Sequence, residues 1–84
     1  MTTAEDRVKA VVARVLHIEL SRIKPQHNFG ADLGAESVQS LELVAAFEEE
    51  FGIDLDEDAA LSVNTVGAAV EFLSKACQEK GIKV

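Results

Sequence analysis

Neither tryptophan nor tyrosine occurs in this sequence of 84 residues, and four phenylalanines are its only aromatic side chains. A core built from it must be aliphatic. Cysteine occurs once, at Cys77, so no internal disulfide can form, which fits a reducing, cytoplasmic setting. Basic side chains are few: 8 against 15 acidic ones, for a formal charge of −7. That balance argues against gripping a nucleic-acid backbone and for partners with basic surfaces. No apolar run approaches the length that spans a membrane. The opening MTTAEDRVKA has neither the basic stretch nor the apolar run of a signal peptide. A chain this short makes one small domain over residues 1–84, burying roughly 60% of its unfolded surface. It has no room for a second domain or a deep enclosed active site, and a monomer is expected.

What is present is apolar enough, at 48%, to require a compact core. Thr2 and Glu5 have the spacing of a capping box, and Val8, Val11, Val12 and Val15 follow at helical intervals. A first helix is expected from about Thr3 to Leu16 or His17. The next stretch, to Ala35, contains Pro25, Gly30 and Gly34 and shows no clear period. A loop of this length tends to be functional or self-packed, with Leu20, Ile23, Phe29 and Leu33 as candidate anchors against the core. A second helix is expected over Ser37–Phe51, stopped by Gly52. The acidic segment DLDEDAAL makes one or two further turns. A last helix starts near Asn64 or Thr65, carries Val66, Ala69, Val70 and Leu73 on one face, and ends at Gly81. No run alternates as a strand does. The fold class is all-α: a small bundle of three main helices plus one short helix, with a long loop between the first and second.

The second helix has two apolar surfaces where one would suffice. Leu43, Val44, Phe47 and Phe51 fall together and face the core, whereas Val38, Leu41 and Ala45 fall on the opposite side, among Glu42, Glu48 and Glu49. Scattered exposed apolar groups are common. An apolar centre with a charged margin is also the anatomy of a docking face. Glu48, Glu49 and Glu50 crowd the negative end of the helix dipole, where each costs a few tenths to about 1 kcal/mol. A cationic partner explains carboxylates placed against the local field.

Ser37 stands where this helix begins, inside Asp32-Leu33-Gly34-Ala35-Glu36-Ser37-Val38. Its plain role is an N-cap. Its functional role is a hydroxyl bearing a covalent phosphate, since helix N-termini favour anionic oxygens. The glycine-flanked elbow of serine hydrolases is absent, because Ser37 lies between Glu36 and Val38.

The run FGADLGAESVQSLELVAAFEEEFGIDL, Phe29 to Leu55, resembles the signature of the acyl carrier proteins. In that family a D-L-G-x-D-S-L motif opens the second helix, followed by E-L-V and an E-E-E-F ending. The valine-rich first helix, Ile23-Lys24-Pro25, and Thr65 to Val70 extend the likeness over nearly the whole chain. The resemblance implies that Ser37 receives 4′-phosphopantetheine from coenzyme A through a separate phosphopantetheinyl transferase. The thiol of that arm would carry an acyl group as a thioester, and the protein would deliver it to synthase enzymes with basic docking surfaces without being an enzyme itself. The implied docking surface is Glu36, Val38, Gln39, Leu41, Glu42, Ala45, Glu48 and Leu55. Phe47, Leu61 and Ala69 are the implied lining of an acyl cleft, and ordinary core packing is the plain role of all three.

The sequence departs from the family beside the serine, with Glu36 for aspartate, Val38 for leucine and a neutral Gln39. Glutamate is the poorer cap. These changes bear on which transferase and synthase are accepted, and they suggest a specialised carrier. Fatty-acid, polyketide, lipid-modification and aminoacyl or peptidyl carriers share the architecture. An unmodified interaction module of the same fold is the other alternative.

Other candidates are weaker. Asp54, Asp56 and Asp58 open like an EF-hand loop, but Ala59 and Thr65 stand where that loop needs Gly and Glu. His17 and His27 have no companions at metal-ligand spacing. Cys77 reads as a small packing residue, and Pro25 as a loop stiffener.

Overall fold

A computed structural model of the chain describes residues 3–81. The main helices are α1 (Ala4–Leu16), α2 (Ser37–Phe51) and α4 (Val66–Glu79), with the short α3 (Glu57–Leu61) between the last two. A single 3₁₀ turn, Leu20–Arg22, interrupts the long connection from α1 to α2.

α1, α3 and α4 each start where a side chain accepts from the first turn. Thr3 caps α1: its hydroxyl accepts from Asp6 N–H at 3.1 Å, and the Asp6 carboxylate accepts from Thr3 N–H at 3.3 Å. The capping box is therefore Thr3 and Asp6, one residue later than the expected Thr2 and Glu5; Thr2 lies outside the described residues. Two threonines precede two acids here, so spacing alone could not choose between the registers. Glu5 is instead 2.8 Å from Lys9, one turn along. Asp56 caps α3 and Thr65 caps α4, through bonds to Asp58 and Ala59 and to Ala68 respectively. α2 stops at Gly52, which adopts the left-handed conformation.

α1 is the central helix. It packs on both α2 and α4, while those two barely touch each other. Its buried stripe is Val8, Val11, Val12 and Leu16. Val15, expected in that stripe, is only half-buried because Leu16 takes the deeper position. Leu43, Phe47 and Phe51 enter the core from α2; Val66, Ala69, Leu73 and Cys77 enter it from α4. Cys77 is a fully buried packing residue.

The long loop is anchored by Ile23 and Phe29, both buried, with Leu33 packed partly against the core. Leu20 is not an anchor. It is 53% exposed, because it opens the surface 3₁₀ turn while Ile18 and Ile23 take the inward positions on either side.

The loop is also stitched to the start of α4. Val66 N–H donates to the His27 carbonyl at 3.1 Å and Gly67 N–H to the Pro25 carbonyl at 2.8 Å. Thr65 supplies acceptors for Ala68 and Ala69. The N–H groups of Val66, Gly67 and Ala68, three that a helix start leaves without an intrahelical partner, are thus satisfied. The approach is so close that a Cβ on Gly67 would lie 3.1 Å from the Pro25 carbonyl oxygen. A branched side chain would push the loop off the helix and break both bonds. Gly67→Val is expected to cost about 1–3 kcal/mol, read as a lower urea midpoint with an unchanged slope.

Candidate functional site

The segment leading into α2 is a series of turns held by its own backbone. Asp32 and Leu33 N–H groups both donate to the Asn28 carbonyl, Gly34 N–H donates to Gly30, and Ala35 N–H donates to Phe29 at 2.8 Å. Gly34 has φ +74°, which L side chains rarely adopt, so this turn depends on glycine. The turns bring Glu36 to the N-cap and Ser37 to the first helical position.

Ser37 is therefore not the cap. The first intrahelical bond runs from Ser40 N–H to the Glu36 carbonyl at 2.9 Å, and Gln39 Oε1 accepts from Glu36 N–H at 2.9 Å. The Ser37 residue is exposed, and its hydroxyl makes no hydrogen bond among the described residues. The N–H groups of Ser37 and Val38 likewise meet no acceptor there. An uncommitted hydroxyl beside free donors, at the positive end of a fifteen-residue helix, suits a covalently held phosphate.

A cleft of about 330 Å³ opens where α2 and α4 fail to meet, at the small end of the range for ligand pockets. Ser40, Leu43, Val44 and Phe47 of α2 form one wall. Leu55, Leu61 and Val63 close the side toward α3; Ala69, Phe72 and Leu73 come from α4. The loop residues Asn28 to Ala31 complete it. The three residues expected to line a cleft, Phe47, Leu61 and Ala69, are all on its wall. Phe47 and Ala69 belong to the core as well, whereas Leu61 is 39% exposed at the rim. Sequence reasoning missed Ser40, Asn28 and Asn64. Ser40 was within reach of it, because Ser40, Leu43, Val44 and Phe47 recur at the spacing of one helix face. The two asparagines join the cleft only through the pairing of Asn28 with Thr65.

The residues expected to dock a partner fall into two groups. Glu36, Val38, Leu41, Glu42 and Ala45 are exposed, with Val38 at 66% and Leu41 at 46%. Gln39 is half-buried and committed to the α2 cap. Glu48 is also half-buried: its Oε2 accepts from Leu55 N–H at 2.8 Å, and so ties α2 to the chain after it.

That bond changes the electrostatic reading of the α2 C-terminus. Glu50 Oε2 sits 2.9 Å from Arg7 Nε, and Arg7 also donates to the Glu50 carbonyl at 2.7 Å. The same guanidinium lies over the Phe51 ring, 4.3 Å from its centroid. Two of the three crowded carboxylates thus have partners within the chain, and only Glu49 stays unexplained by the fold. A cationic partner is not needed to account for Glu48 and Glu50. The broader asymmetry does persist, since no lysine or arginine occurs between Lys24 and Lys75, where most of the acidic side chains lie.

Residues 6–73 match the family model for the phosphopantetheine attachment site. The chain belongs to this family. The match reaches from the first turn of α1 into α4, and it agrees with the likeness to acyl carrier proteins. The group such a domain holds is covalently bound 4′-phosphopantetheine. Domains of this kind are generally carriers rather than catalysts, and they work with modifying transferases and synthase enzymes. Among the described residues no helix is long and apolar enough to cross a membrane.

Proposed function

We propose that Ser37 holds the 4′-phosphopantetheine and that residues 1–84 act as one acyl carrier domain, passing acyl groups between enzymes. The state of the Ser37 hydroxyl carries this reading. It is exposed, released from capping by Glu36 and Gln39, and followed one turn later by the wall of an apolar cleft. When bound, the group supplies a thiol that carries the acyl cargo as a thioester. The chain's part is to present the hydroxyl to a transferase, to offer Ser37 and Val38 N–H groups to the phosphate, and to shelter the cargo between α2 and α4.

The exposed row Glu36, Val38, Leu41, Glu42 and Ala45 supports docking to partners with basic surfaces, with Gln39, Glu48 and Leu55 at its margin. Glu36 reaches one methylene further than aspartate would, and Val38 offers less apolar area than leucine. Both features favour a specialised carrier over a general one. The test is the intact mass of the purified chain after incubation with coenzyme A and a broad-specificity transferase. One phosphopantetheine adduct is expected; a chain that stays unmodified is an interaction module of the same fold.

The docking row has its own test, in which the structure separates two carboxylates. Glu42→Lys should weaken binding to a basic partner enzyme at low salt by about two- to fivefold, the scale of one rim charge, with no change in stability. Glu48→Lys should in addition lower stability by roughly 1 kcal/mol, because the Leu55 N–H loses its acceptor. Binding unchanged by Glu42→Lys would mean that the acidic row is merely solvated.

A further inference from the structure

The cleft is polar at one end only. Ser40 lies one turn from Ser37 along α2. Asn28 and Asn64 flank Phe29, whose N–H donates to the Asn64 carbonyl and whose carbonyl accepts from Ala35, two residues before Ser37. These contacts place the half-buried Ser40 and Asn28, and the exposed Asn64 at the rim, at the end of the cleft nearest Ser37. Phe47, Leu55, Phe72 and Leu73 line the rest, and Phe47 lies about 10 Å along α2 from Ser40 at 1.5 Å per residue.

None of the three side chains is used by the fold. Thr65, not its neighbour Asn64, caps α4. Asn28 pairs through its backbone, donating to Asp32 Oδ2. The Ser40 hydroxyl makes no hydrogen bond among the described residues, nor do the Asn28 and Asn64 amides. Ser40 is also a polar residue at the head of an otherwise apolar row on α2. A plain alkyl chain drawn through this mouth would displace water from these groups and give nothing back.

Resting on the carrier reading above, we propose that the cleft selects acyl groups that carry an oxygen, hydroxyl or keto, close to the thioester and an alkyl tail beyond it. Ser40 and Asn64 are the specificity-determining pair. The hydroxyl of Ser40 and the amide of Asn64 can each donate to a keto oxygen or accept from a hydroxyl, while the tail fills the Phe47 end.

The experiment compares two cargoes loaded on Ser37, decanoyl and 3-hydroxydecanoyl, by the rate at which hydroxylamine consumes each thioester. Each rate is divided by that of the corresponding acyl-coenzyme A, which removes intrinsic reactivity. The oxygenated cargo is expected to be protected about two- to tenfold more than the alkyl one, the factor that one or two hydrogen bonds of ordinary net strength supply. In Ser40→Ala/Asn64→Ala, with its circular dichroism unchanged, that difference should vanish while the alkyl cargo keeps its protection. Equal protection of the two cargoes in the unaltered chain overturns the inference. So does an equal loss for both cargoes in the double variant, which would assign the polar mouth to the arm. Failure to form any adduct, seen first by mass, overturns the carrier reading itself and this inference with it.

Discussion

Ser37→Ala is expected to abolish the phosphopantetheine adduct completely and to leave the fold as stable as before, within about 0.5 kcal/mol. The two halves of this result follow from one geometric fact. A serine that caps a helix costs about 0.5–2 kcal/mol when replaced by alanine. Here the cap is Glu36, braced by the Gln39 side chain, and Ser37 is the first helical residue with a free hydroxyl. Alanine is the better helix former at such a position, so nothing in the bundle should respond. Intact mass and a urea titration read the two halves independently. Ser40→Ala is the matched control, since Ser40 is half-buried on the cleft wall. It should accept the adduct as the unaltered chain does. An adduct that persists in Ser37→Ala would move the attachment point to another side chain. A loss of stability above 1 kcal/mol would return Ser37 to a structural role.

The parts of this fold that local chemistry determines were readable in the sequence. α2 runs over Ser37–Phe51 and stops at Gly52 as its periodicity and glycine predict, and Thr65 opens α4. What escaped depends on contacts between distant segments. Arg7 and Glu50 are 43 residues apart, so no spacing rule could show that Glu50 is paired, and its position at the helix end looked unfavourable. The bond from Leu55 N–H to Glu48 is nearer in sequence but depends on how the chain turns after Gly52. Leu20 looked like an anchor because hydrophobicity alone does not say which of several loop residues the 3₁₀ turn points outward. The cleft was half legible. Phe47, Leu61 and Ala69 follow from the family pattern, and Ser40 from its place on the inner face of α2. Asn28 and Asn64 reach the cleft only because the loop is bonded to the α4 N-terminus, a tertiary event.

Phe47→Ala should be the most destabilising change near the site, and cargo should partly reverse it. Phe47 is 6% exposed and belongs both to the core and to the cleft wall. Truncating a buried phenylalanine costs about 3–5 kcal/mol, a large share of the roughly 5–15 kcal/mol that stabilises a whole domain. At about 4–8 °C per kcal/mol for a domain of this size, Tm should fall by well over 10 °C. The space so opened is continuous with the cleft, so an acyl chain that enters the cleft can occupy it. Each methylene that becomes buried contributes about 0.8 kcal/mol. Loading a long saturated acyl group on Ser37 should therefore raise the Tm of Phe47→Ala more than that of the unaltered chain. Val12→Ala supplies the contrast: Val12 is fully buried but lies off the cleft wall. Its loss of about 2 kcal/mol should not be recovered by cargo beyond what the unaltered chain gains. If Phe47→Ala also gains no more than the unaltered chain, the acyl group does not lie between α2 and α4. Phe47 would then be a core residue only.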